Sequence, residues 1–217
     1  MIVESGTLSI ATANDLDAIT EGTVTAEIAT DSTVDSLATL TGTNEFTIVI
    51  NEVDSSVEAS DLTSIDDATS VAINADAVVE ITGTYSEIVS LYGSEGITGL
   101  GDENLNIEGE LSVIEANTLD ALTGGTITGS ISASERVSSL IELTGNNDYG
   151  ITISEEDALS SSVSDLNTIN GKTTGVVNLS NVQAITSSIS DLEIFANAIG
   201  DGEFINAEAV SYTHLRA

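Results

Sequence analysis

Residues 16–26 read LDAITEGTVTA and residues 119–129 read LDALTGGTITG: seven of eleven positions are identical, and two more exchange one branched aliphatic for another. Weaker copies start at Leu62 (LTSIDDATSVAIN) and Leu166 (LNTINGKTTGVVN). Anchored on Leu16, Leu62, Leu119 and Leu166, the steps are 46, 57 and 47 residues, and the superperiod is 103 or 104. A repeat of this length constrains the fold more than any other feature. A short unit with one apolar face has nothing of its own to bury that face against, so it must stack on its neighbours.

Each copy reads in the same order. An alternating stretch comes first, with Phe46, Ile48 and Ile50, then Leu105 and Ile107, then Ile151 and Ile153, as expected of strands. Apolar residues then recur every third position, in Ala13/Leu16/Ile19, Ala59/Leu62/Ile65, Ala116/Leu119/Leu122 and Val163/Leu166/Ile169. That spacing predicts one or two turns of α- or 3₁₀-helix, closed by Gly22, Gly124 or Gly171. A second strand is predicted at Val24/Ala26/Ile28, Val71/Ile73, Ile127/Gly129/Ile131 and Val177/Leu179. The three-residue spacing returns in Val34/Leu37/Leu40, Val78/Ile81, Val137/Leu140/Leu143 and Val182/Ile185. Longer amphipathic helices are expected around Tyr85, Ile88 and Leu91 and around Ile189, Leu192 and Phe195, so units alternate short and long.

Strands joined by short helical connections must run parallel, and such crossovers are right-handed by default. The expected fold is therefore a repeat solenoid: β-rich, with right-handed parallel strands joined by short α or 3₁₀ segments, running as one array over residues 1–210. Apolar spacing of three fits the bent loops of a pure right-handed β-helix equally well.

The runs ASDLTSIDDATSVAIN, GSEGITGLGDENLNI and IEANTLDALTGGTITGSI resemble tandem repeats of very large secreted or surface proteins of marine bacteria, cyanobacteria among them. The resemblance covers residues 7–210 and contains no catalytic motif. It implies an extracellular, non-enzymatic structural or adhesive array, whose partners are further copies of the repeat and cell-surface or matrix components. INAEAV reads as the first strand of a fifth unit.

The charge is −33, from 36 acidic residues against 3 Lys plus Arg. Such a surface repels phosphate backbones and anionic lipid, so neither nucleic acid nor membrane insertion is expected. There is no Cys for disulfides or thiolate metal sites, and aromatic residues are only 3%, too few for stacking platforms. An intracellular halophile protein would also be acidic and Lys-poor, but long repeats without catalytic residues favour the surface reading.

Acids cluster after the first strand, at Glu52 and Asp54, at Glu108 and Glu110, and at Glu155, Glu156 and Asp157. Oxygen-rich loops suit Ca²⁺, which takes six to eight oxygen ligands, so these residues are the candidate metal ligands of a calcium-dependent extracellular module. The strict D-x-D-x-D-G loop does not occur. Carboxylate pairs raise a polysaccharide-cleaving β-helix enzyme as a remote alternative, yet they follow the repeat instead of interrupting it at one place. An ice-binding solenoid needs Thr-x-Thr in successive turns. Thr23-Val24-Thr25 and Thr126-Ile127-Thr128 qualify, but Ser70-Val71-Ala72 and Gly175-Val176-Val177 break the ladder.

The last residues hold the single His, His214, and Arg216. Val210 to Ala217 resemble the translation of a transposon-type sequencing adapter, so 211–217 are expected to be a foreign, frayed tail, and His214 is no candidate base or ligand.

Overall fold

The computed structural model of the chain describes residues 1–50, 56–158, 161–207 and 211–214. Two compact units emerge: Met1–Asn106 with Thr123–Gly125, and Ile107–Leu122 with Thr126–Ala217. The chain passes from one to the other close to the 103-residue superperiod, so each unit holds about one double repeat.

The elements run in chain order through unit 1 as β1 (Ile2–Leu8), α1 (Ile10–Ile19), β2 (Thr25–Ile28), α2 (Val34–Leu37), β3 (Glu45–Thr47), β4 (Val57–Glu58), α3 (Ala59–Ala68), β5 (Ile73–Asn74), β6 (Glu80–Thr84), α4 (Tyr85–Tyr92) and β7 (Ile97–Thr98). Strand β8 (Asn104–Leu111) starts in unit 1 and ends in unit 2. There follow α5 (Val113–Asp120), β9 (Ile127–Ile131), α6 (Val137–Leu140), β10 (Asp148–Thr152), a 3₁₀ turn (Glu155–Asp157) and β11 (Ser161–Ser162). The rest is α7 (Val163–Asn170), β12 (Val177–Asn178), β13 (Ala184–Ser187), α8 (Ile189–Gly200), β14 (Phe204–Ile205) and β15 (Ser211–His214).

Parallel sheets with short helices between their strands make this a mixed α/β fold, with no closed barrel among the described residues. In unit 1, β2 lies between β1 and β3, β4 pairs with β6, and β5 with β7. In unit 2 the strand order is β8-β9-β10-β12-β14 in one sheet and β11-β13-β15 in another. Paired residues in these ladders lie 20 to 27 residues apart, and each pair is parallel.

Local chemistry explains where the helices start. Ser9, Thr33, Thr84, Ser112, Ser162 and Ser188 each sit at an N-cap, the side-chain oxygen accepting from the backbone N–H three residues on. Thr84 with Glu87 and Ser112 with Glu115 form reciprocal capping boxes. One of the three predicted glycine stops takes the cap position itself. Gly171 caps α7 with an ordinary helical φ of −70°, and Gly22 and Gly124 lie beyond the caps of α1 and α5, at Thr20 and Ala121. The helices before the second strand are also longer than one or two turns, at 8 to 10 residues.

Apolar positions one, four and seven of these helices face the core. Ala59/Leu62/Ile65, Val113/Ala116/Leu119 and Val163/Leu166/Ile169 are all buried. Truncating a fully buried Leu to Ala costs about 2–5 kcal/mol, and Leu62, Leu119 and Leu166 meet that condition while Leu16 is half-buried. The caps also correct the repeat register. N-caps at Ser9, Glu58, Ser112 and Ser162 are 49, 54 and 50 residues apart, so Leu62 and Leu166 hold position four while Leu16 and Leu119 hold position seven. An apolar residue at every third position let the two weaker copies slip by one helical turn; the 103–104 superperiod is unaffected.

The second three-residue sets in the long units are strands, not helices. Ile81 lies in β6 and Ile185 in β13, because VEITGT and QAITSS alternate with period two before the capping Thr84 and Ser188 start the next helix. The insertion helices are present as α4 and α8. The tail also departs from expectation: β15 pairs with β13 from Ala184↔Ser211 to Ser187↔His214. A sheet edge accepts an extended segment through backbone groups alone, whatever its sequence of origin.

Candidate functional site

The repeated motif carries Asp17 and Asp120, each the eighth residue of its helix. Asn147, only 4% exposed, donates from Nδ2 to Asp120 Oδ1 at 2.9 Å and accepts the Ile127 N–H on Oδ1 at 2.9 Å. Asn44, 1% exposed, repeats the arrangement with Asp17 at 3.0 Å and the Val24 N–H at 2.8 Å. One turn earlier on the same helices, Asn117 Oδ1 accepts the Thr144 N–H at 2.8 Å and Asn14 Oδ1 accepts the Thr41 N–H at 3.0 Å. Their amide nitrogens donate to Glu142 O and Thr39 O, both at 2.9 Å. Gly145 and Gly42 turn the chain back at φ +69° and +71°, where a Cβ would lie within about 2.2 Å of the Asp120 or Asp17 carboxylate.

A second polar device follows α3, α5 and α7. Thr173 Oγ1 accepts the N–H groups of Tyr149 and Gly175, each at 2.9 Å, and donates to Tyr149 O at 2.8 Å. Thr69 makes the same set with Phe46 N at 3.0 Å, Val71 N at 3.1 Å and Phe46 O at 2.8 Å. Thr123 donates to Glu103 O at 2.6 Å and accepts from Gly125 N at 2.9 Å. Thr20, Thr69, Thr123 and Thr173 repeat the 49, 54 and 50 spacing of the caps, an independent check on the register. Glu103 is itself buried, its carboxylate accepting from the N–H groups of Gly101 (2.9 Å) and Asp102 (3.1 Å).

These groups are joined to one another and to backbone. A buried N–H left without an acceptor costs about 1–3 kcal/mol, so the Asn and Thr side chains are structural requirements. Tyr149, fully buried, stands where Phe46 stands 103 residues earlier. Burial raises its phenol pKa strongly, Asp120 adds to the effect, and the nearby Asn147 amide opposes it. The Tyr149 hydroxyl has no hydrogen-bond partner. The Glu87 carboxyl is lowered by its bonds from the Thr84 backbone and side chain.

Among the described residues, the predicted calcium ligands do not converge. Glu52 and Asp54 lie outside the described residues. Glu108 and Glu110 are exposed on β8, on either side of Gly109, whose φ is +92°. Glu155 is exposed; Glu156 pairs with Arg136 at 2.5 Å on the open surface, and Asp157 Oδ2 accepts the Val137 N–H at 2.9 Å, capping α6 from outside. Among the described residues no three acidic or His side chains are grouped to hold a metal ion. Glu110 instead lines a shallow depression of about 240 Å³ with Ser130, Gly150, Thr152, Asn178 and Ile205.

Sequence reasoning missed the Asn–Asp frame, although TGTNEF at residues 41–46 and TGNNDY at 144–149 spell the turn and its Asn twice. Comparison with protein-family models, with curated proteins and with solved structures returns no match to this chain. Among the described residues, no helix is long and apolar enough to cross a membrane.

Proposed function

We propose that this chain is a non-catalytic structural array, a right-handed solenoid segment of a large secreted or surface-attached bacterial protein, whose work is spacing and contact. The observation that carries the reading is the duplicated Asp–Asn frame, Asp17 with Asn44 and Asp120 with Asn147. Here the polar groups that the repeat keeps are committed to fastening one strand turn to the next. A catalytic site would instead interrupt the repeat with groups shared by no other unit. Strand partners 20 to 27 residues apart, in parallel ladders, support successive coils of one solenoid. Uncompensated acid on the outside keeps such an array soluble and its neighbours apart.

Tandem proteins containing one, two and three copies of the chain test this by small-angle scattering. An array adds a constant increment to the longest dimension per copy. Copies that scatter as separate beads on a flexible string, or that collapse into a compact particle, would contradict it.

A further inference from the structure

We propose that Asn170-Gly171 is a self-modification site, at which loss of ammonia from Asn170 unfastens α7 from the turn before β14 and disturbs the Thr173 hydroxyl. The inference goes beyond the array reading and does not rest on it.

The eighth residue of α1, α3, α5 and α7 fastens each helix to a later turn. Asp17 accepts the Asn44 amide at 3.0 Å, Asp66 the Ser94 hydroxyl at 2.5 Å and Asp120 the Asn147 amide at 2.9 Å. Position eight of α7 is Asn170, and there the polarity is reversed: its Nδ2 donates to Glu203 Oε2 at 2.6 Å. An ionised carboxylate only accepts, so this contact depends on the amide. The same Glu203 helps to seat β14, its carbonyl accepting the Val177 N–H at 2.9 Å. Position eight is followed by Ala18, Asp67 and Ala121 in the other three helices, and by Gly171 in α7. This is the single Asn-Gly step of the sequence.

Glycine has no Cβ to hinder ring closure, and it reaches the required backbone angles at low cost. Once Gly171 leaves helical geometry, its amide nitrogen attacks Asn170 Cγ. The N–Cγ bond forms and the Cγ–Nδ2 bond breaks, and Nδ2 departs as ammonia with the Gly171 proton. Water then opens the cyclic imide, adding hydroxyl to one carbonyl carbon and a proton to the Gly171 nitrogen. Opening at Cγ leaves aspartate. Opening at the main-chain carbonyl leaves isoaspartate, with Cβ and Cγ inserted into the main chain. Two contacts restrain the attack in the folded chain: Gly171 N–H donates to Asn167 O at 3.1 Å, and Glu203 holds the amide. Both lie at a helix end, with Gly171 exposed and Asn170 half-buried, where helices fray first.

Either product undoes the fastening. Aspartate sets a second carboxylate against Glu203, in a chain that already carries −33, and like charges so close repel. Isoaspartate lengthens the main chain three residues before buried Thr173, whose N–H reaches Asn170 O at 3.4 Å. The added length shifts the hydroxyl that accepts the Tyr149 and Gly175 N–H groups.

Ageing the folded protein in mildly alkaline buffer tests the proposal, with peptide mass spectrometry and an isoaspartate-specific methyltransferase as readouts. The expected result is aspartate and isoaspartate at position 170, with a melting midpoint that falls as they accumulate. Gly171→Ala, whose added Cβ meets nothing closer than 3.5 Å, should hold both the amide and the midpoint through the same ageing. Asn170→Asp should lower the midpoint at low salt, and Glu203→Gln beside it should restore the loss, because a neutral amide can donate to the new carboxylate. Circular dichroism checks the folding of each variant. No product at position 170, equal product in Gly171→Ala, or an aged protein that melts like the fresh one overturns the proposal. An Asn170→Asp loss that Glu203→Gln leaves untouched overturns it as well.

Discussion

The Asn147 side chain reaches Asp120 with its amide nitrogen at 2.9 Å while its oxygen holds the Ile127 N–H at 2.9 Å, so one buried residue ties a helix end to two strands. Asn147→Ala strands the Ile127 N–H and should lower stability by about 1–3 kcal/mol. Asn44→Ala should cost a similar amount through Val24. Urea midpoints measure both, and an unchanged midpoint in either would show that water replaces the amide.

Glycine is required at position 145 but not at 124. Gly145→Ala must adopt φ +69° with its Cβ against the Asp120 carboxylate, at a cost of about 1–2 kcal/mol from the backbone alone. At Gly124 the nearest atom to an added Cβ is 3.5 Å away and φ is not in the left-handed region. Gly124→Ala should therefore leave the thermal midpoint unchanged or slightly raised. Equal losses at both sites would remove the Asp–Gly turn from the account.

Thr173→Val keeps the shape of the side chain and deletes the hydroxyl that serves Tyr149 N, Gly175 N and Tyr149 O. The buried Tyr149 N–H and the part-buried Gly175 N–H lose their acceptor, so the loss should reach roughly 2–4 kcal/mol by denaturant melting. Thr173→Ser should recover most of it, and failure of that rescue would assign the effect to packing.

Tyr149 gives the fold an alkaline limit. Its phenol pKa is raised in the folded chain, first by burial and then by Asp120, whereas the unfolded chain ionises near the ordinary value of about 10. The stability tied to this group is therefore complete below about pH 10 and declines above it, as the unfolded state alone sheds the proton. Tyr149→Phe, which copies Phe46, should flatten stability against pH above about pH 10 relative to the wild type. A parallel decline in the variant would place the alkaline sensitivity elsewhere.

With 36 acids and 3 Lys plus Arg, self-repulsion opposes the folded state, and monovalent salt should raise the melting temperature. Because Glu156 is bound to Arg136 and Asp157 to the Val137 N–H, millimolar Ca²⁺ added in high NaCl should give no further rise. A saturable gain from Ca²⁺ would establish a built site. Equal melting temperatures in low and high NaCl would dismiss the repulsion.

Much of the architecture was readable because burial writes itself as periodicity. The alternation in Val24/Ala26/Ile28 and the three-residue rows in α3 and α7 both lead to buried faces. Periodicity alone does not mark phase, which is why Leu62 was matched to Leu119 one helical turn out of step. It also gave Val78/Ile81 to a helix, since two apolar residues three apart fit either element when a strand is short. The polar frame was harder to read. Asn44, Asn147 and Thr173 are hydrophilic residues buried by their partners, and hydropathy assigns such residues to the surface. Acidic clusters are legible in the sequence but their partners are not: Glu156 meets Arg136, and Asp157 meets the Val137 N–H.

The 20- to 27-residue separation between strand partners bears on how the chain is made. A strand waits only for the next two dozen residues before its ladder can close, so contacts form locally and ring closure is cheap. A growing chain leaving a ribosome can close each parallel ladder soon after its two strands have emerged. Synthesis and folding then advance at the same front, with little sticky surface exposed behind it.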